Sequence, residues 1–77
     1  MNNDRRKRIE SLTNKLTEIK EEIELLQQEE QDAYDAMPEG IRYSERGDNA
    51  ESAMAELEEA AEHCQDAATS LETATEY

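Results

Sequence analysis

His63 and Cys64 are the only imidazole and the only thiol in the chain, so nucleophilic, redox or metal chemistry would have to start from them. They are adjacent, and neighbours on a helix project about 100° apart, which keeps the two from sharing one catalytic geometry. A single thiol closes no internal disulfide. The carboxylate-bridged metal sites of helical bundles use Glu-x-x-His, and Ala60 stands three residues before His63. There is no glycine-rich phosphate loop, no Ser/His/Asp set and no pair of carboxylates with a reason to be buried. Clustered Glu residues could take divalent cations only loosely. The chain therefore reads as non-enzymatic, with no catalytic residues, no cofactor and no dedicated metal site. Cys64 is expected as an inert buried thiol, and His63 at the surface near Glu59.

Charge is the chemistry in supply. The 77 residues carry 21 Asp and Glu against 8 Lys and Arg, a net charge of -13. Its sign changes along the chain. Residues 1–20 hold six basic and three acidic groups, whereas residues 21–77 hold two basic and eighteen acidic ones, and no cation follows Arg46. Such a surface either solvates a small protein or meets a basic partner. The candidate contact residues are Glu21, Glu22, Glu24, Glu29, Asp32 and Asp35 in the first half, and Glu51, Glu58, Glu59, Glu62, Asp66 and Glu72 in the second. The run Arg5-Arg6-Lys7-Arg8 has the composition that neutralises phosphates. No aromatic residue interleaves it for base stacking, and the acidic remainder repels nucleic acid, so direct nucleic-acid binding is the least favoured function. Neutralisation by Asp66, Glu72 and Glu76 is the simpler expectation for this run, and a partner contact the alternative.

These groups must be carried by helices. Apolar residues make up only 35% of the chain, with no Val, Phe or Trp, a composition that approaches disorder. Periodicity decides otherwise. Ile9, Leu12, Leu16, Ile19, Ile23, Leu26, Ala33 and Met37 step by three and four, interrupted at Glu30, which predicts a helix over about residues 4–36 started by Asn2 or Asn3. Glu30 sits at a core position, where it either lies at a rim and turns outward or pairs with Arg42 or Arg46. Ala50, Ala53, Leu57, Ala60, Cys64, Ala67, Leu71 and Ala74 form a second seam, widened by Met54, Ala61 and Ala68, on a helix over about 44–75. Ser44 is the favoured cap, ahead of an Asp48/Glu51 box. Residues 37–43, with the only Pro, are a turn that reverses the chain.

The fold class is all-α: an antiparallel, coiled-coil-like two-helix hairpin forming one domain over 1–77. Large residues face Ala throughout, so a lone hairpin buries little. Dimerisation into a four-helix bundle is expected, with Leu25, Tyr34, Ile41 and Tyr43 left for further contacts. No stretch is apolar enough to span a bilayer and no leader is recognisable, so a cytoplasmic, membrane-free protein is expected. Ile41, Arg42 and Tyr43 in the turn are candidate partner contacts, and for Ile41 and Tyr43 the alternative is an apolar cap that closes the open end of the bundle against Met37 and Met54.

Met37-Pro38-Glu39 followed by Ser44-Glu45-Arg46-Gly47 and an acidic Ala/Leu helix resembles the turn region of small acidic helical-hairpin proteins of bacteriophages and mobile elements. The resemblance spans residues 1–77 and implies a mobile-element origin and no activity. By analogy of class, such proteins often inhibit host nucleases or defence complexes, some as nucleic-acid mimics. Two functions follow: a phage-type inhibitor that presents carboxylate-lined helices to the basic nucleic-acid-binding surface of a host protein, or a structural or adaptor coiled coil with a salt-tolerant apolar interface.

Overall fold

The computed structural model describes residues 1–77 as two long antiparallel helices joined by a short one: α1 (Asn3–Asp35), α2 (Glu39–Arg42) and α3 (Glu45–Ala74). The molecule is a rod of 58 × 14 × 11 Å with α1 packed along α3. No helix is long and apolar enough to cross a membrane.

Local chemistry sets the ends. The Asn2 side chain accepts a hydrogen bond from the Arg5 backbone N–H at 2.8 Å and opens α1. Pro38 forces its predecessor out of helical geometry, so α1 stops at Asp35, and a single turn of helix follows where the sequence suggested a bare turn. Ser44 is the N-cap of α3, but its hydroxyl donates to the Ile41 carbonyl instead of capping a helix N–H. Gly47 is required by the fold. It lies in the first turns of α3 against the Arg42 backbone, so close that a Cβ there would be 2.5 Å from the Arg42 carbonyl carbon.

The hairpin packs through a face rotated from the expected one. On α1 the inward rows are Ile9, Leu16, Ile23 and Glu30, as expected and followed by Met37 just past the helix end, and beside them Arg6, Thr13, Lys20, Gln27 and Tyr34. Leu12, Ile19 and Leu26, expected in the core, keep 48%, 47% and 52% of their surface exposed. On α3, Ala50, Ala61 and Ala68 are buried and Met54, Leu57, Cys64 and Leu71 half-buried, while Ala53 and Ala67 face solvent.

The physical reason is that three adjacent rows of α1 are compatible with a seam, and one neighbouring helix covers only two. The polar row is held by α3 at three of its members: Arg6 Nε donates to the Thr75 carbonyl at 3.1 Å, Lys20 Nζ to Gln65 Oε1 at 3.0 Å and Tyr34 OH to Glu51 Oε1 at 2.6 Å, while the Thr13 hydroxyl is buried without a partner. Alanines opposite let the helices approach closely. Tyr34, expected to be left over, thus belongs to the hairpin interface. Glu30 is half-buried and has no ion-pair partner.

Candidate interaction surfaces

Helical spacing distributes the acidic residues around the rod. Glu24, Glu51, Glu58, Glu62 and Glu72 border one groove between the helices. Its centre is lined by Lys20, Glu24, Gln27, Glu58, Ala61, Glu62 and Gln65. Toward the chain termini it continues past Arg6, Glu10 and Glu72, and toward the turn it ends at the Tyr34–Glu51 hydrogen bond. Glu51, Glu58 and Glu72 recur in multiples of seven residues, about 10 Å per step along α3. Glu59 and Asp66 point away from the groove on the outer side of α3, as do Glu21, Glu22, Glu29, Asp32 and Asp35 on α1. All twelve are exposed. They form no single patch.

Few of these charges are spent within the chain. The only side-chain ion pair between permanently charged groups is Lys20 with Glu24 at 4.0 Å, and His63 Nε2 lies 3.7 Å from Glu59, an ion pair only when the imidazole is protonated. Asp32 and Asp35 accept hydrogen bonds from Gln28 and Gln31, both at 2.9 Å. The hydrogen bond to Glu51, aided by that carboxylate's charge, raises the Tyr34 hydroxyl above its ordinary pKa. Glu10 is a groove carboxylate that sequence reasoning passed over. Its signal is the row Glu10, Thr17, Glu24 and Gln31, visible only once the rotation of α1 is known.

The basic run does not neutralise α3 as expected. None of its side chains forms an ion pair with Asp66, Glu72 or Glu76. Arg6 Nε instead donates to the Thr75 carbonyl at 3.1 Å, placing a cation where the dipole of α3 is negative. Arg5, Lys7 and Arg8 are exposed.

At the turn, Arg42 works inward. Its Nη2 donates to the carbonyls of Asp35 at 3.1 Å and Met37 at 3.3 Å, and the guanidinium lies 5.6 Å from the centre of the Tyr34 ring. Ile41 is half-buried, whereas Tyr43 is 76% exposed. Cys64 is a free, half-buried thiol on the inner side of α3. No group of three or more His, Cys, Asp or Glu side chains is placed to hold a metal ion. No protein-family model, curated protein or solved structure matches the chain.

Proposed function

We propose that this chain is a non-enzymatic, acidic protein-interaction module, an inhibitor of the phage or mobile-element kind that occupies the basic nucleic-acid-binding groove of a host protein. The observation that carries this reading is the exposed and largely unpaired state of its carboxylates along a 58 Å rod. Duplex DNA of that length presents roughly 34 phosphates. One chain supplies a net -13, so a pair of chains approaches the anionic density of the nucleic acid it would replace.

The test is capture from a bacterial lysate at low and high salt, beside a variant with Glu24, Glu51, Glu58 and Glu62 changed to Gln. Mimicry requires that the captured proteins be mainly nucleic-acid-binding, that duplex DNA displace them, and that both salt and the variant abolish capture. A second reading, an adaptor coiled coil, is favoured by the exposed Leu12, Ile19 and Leu26. It requires salt-tolerant capture that survives the Gln changes and is lost with that apolar row.

A further inference from the structure

Leu12, Ile19 and Leu26 form a line along α1, seven residues apart, that the hairpin leaves half uncovered. Each stands one residue before a member of the inward row Thr13, Lys20 and Gln27. On α3 the residues one before Met54, Ala61 and Ala68 are Ala53, Ala60 and Ala67. In two antiparallel helices, equivalent offsets from the contact line fall on the same side of the pair. One broad face of the rod is therefore apolar, and it lies opposite the carboxylate groove. Along its outer edge on α1 run Arg8, Lys15, Glu22 and Glu29, again seven apart, all exposed and none paired within the chain.

We propose that this face binds a second copy of the chain in antiparallel orientation, about a two-fold axis through Ile19. The edge row reads basic, basic, acidic, acidic. Reversal about Ile19 sets Arg8 against Glu29 of the second copy and Lys15 against its Glu22, and the two-fold repeats both pairs. The same axis sets Leu12 against Leu26 and Ile19 against itself. Ile19 is the midpoint of α1, so the pairing overlaps the whole helix.

The charge of the larger segments agrees. Residues 1–20 and 58–77, at the terminal end of the rod, hold six basic and nine acidic groups, whereas residues 21–57 hold two and twelve. An antiparallel pair lays the weakly charged end of one copy over the strongly acidic end of the other; a parallel pair would stack the acidic ends. A face of 58 by 14 Å offers about 800 Å² per copy, the size of a standard specific interface. The inference goes beyond the carboxylate reading and does not depend on it, because the groove stays open and the face takes from the acidic surface only Glu22 and Glu29 on α1 and, at the equivalent offset, Glu56 on α3.

Sedimentation equilibrium at micromolar concentration tests it, with circular dichroism confirming that each variant stays helical. The wild-type chain should have twice the monomer mass. Ile19→Glu, a change at an exposed position, should raise the dissociation constant about tenfold or more by placing two carboxylates on the axis. Arg8→Glu with Lys15→Glu should weaken the dimer similarly, and adding Glu22→Lys and Glu29→Lys to that chain should restore it. In a Cys64→Ala background, Ile19→Cys should form a disulfide-linked dimer when oxidised glutathione is added as the oxidant. A monomeric wild type, or a dimer indifferent to Ile19→Glu, overturns the assignment of this face. A dimer that the fourfold charge swap fails to rescue overturns the antiparallel axis. Loss of host-protein capture in the Gln variant described above, with the dimer intact, would separate the two proposals.

Discussion

Replacing Gly47 with Ala sets helix propensity against a steric contact, and the structure decides which prevails. Within a helix, Ala is favoured over Gly by about 1 kcal/mol. Here the added methyl would lie 2.5 Å from the carbonyl carbon of Arg42 and 2.9 Å from its Cα, with the carbonyl oxygen closer still, whereas ordinary contact begins at 3.4 Å. Nothing flexible is involved, because the obstructing atoms are backbone. Relief requires α2 to separate from α3. That motion strains the Ser44 N–H and Ser44 Oγ bonds to the Ile41 carbonyl, which tie α2 to the start of α3, and the two Arg42 side-chain bonds to Asp35 and Met37. At about 1 kcal/mol net for each bond lost, and two to four lost, the cost is about 2–4 kcal/mol. After the propensity gain, a net loss of about 1–3 kcal/mol remains, or roughly 5–20 °C in melting temperature for a domain of this size. Gly40→Ala is the control, since a Cβ there meets nothing within 4 Å; it should be neutral or stabilising. Circular-dichroism melts should fall for Gly47→Ala and not for Gly40→Ala. If Gly47→Ala melts higher than the wild type, the close approach of Arg42 is not a constraint and the reasoning fails.

Tyr43→Ser should leave the melting temperature nearly unchanged, because the ring is 76% exposed and such positions contribute within about 0.5 kcal/mol; a marked drop would restore the cap reading of the turn. Glu30→Leu should raise the melting temperature, with a gain in stability of about 1 kcal/mol, by replacing a half-buried, unpaired carboxylate; a loss of stability would reveal a partner for that carboxylate. Tyr34 has its pKa raised in the folded state by Glu51, so the stability it adds is present below the ordinary tyrosine value of 10.0 and is lost as pH rises through the folded value. Melts between about pH 9 and 12 should show that alkaline loss in the wild type and a smaller one in Tyr34→Phe. With a net charge of -13 and a single Lys–Glu ion pair between side chains, helicity should be greater near pH 5 than near pH 8, and greater in added salt; the reverse order in a pH series would mean that the carboxylates are stabilised by folding.

Periodicity made the two long helices and their antiparallel pairing legible. The axial register was legible too: folding the second seam back on the first across a short turn sets Ile19 near Ala67, and the observed Lys20–Gln65 hydrogen bond agrees to within a turn. Rotation was not legible. Leu12 and Ile19 are as apolar as Leu16 and Ile23, so hydrophobic spacing cannot say which rows a single neighbour covers and which await another. Pairing of Lys20 with Gln65 and Tyr34 with Glu51 decided the matter, and such cross-helix hydrogen bonds leave no periodic trace. The same ambiguity hid the groove, since membership of Glu10, Glu24 and Glu58 in one surface depends on that rotation. Arg42 was legible as a turn residue only. Its inward role rests on two carbonyls freed where Pro38 ends α1.

The scarcity of core has a calorimetric consequence. Five residues are buried, three of them Ala with Thr13 and Gly47, and no large side chain is fully buried. The heat capacity of unfolding arises mainly from newly exposed apolar surface, so the isolated hairpin should have a small one. Its enthalpy of unfolding would then change little with temperature, its stability curve would be shallow, and cooling would weaken it less than it weakens a globular domain of equal length. Any apolar surface that comes to cover Leu12, Ile19 and Leu26 adds the missing heat capacity. The curvature of the melting profile thereby becomes a measure of assembly, growing with protein concentration in a way that a self-contained fold would not show.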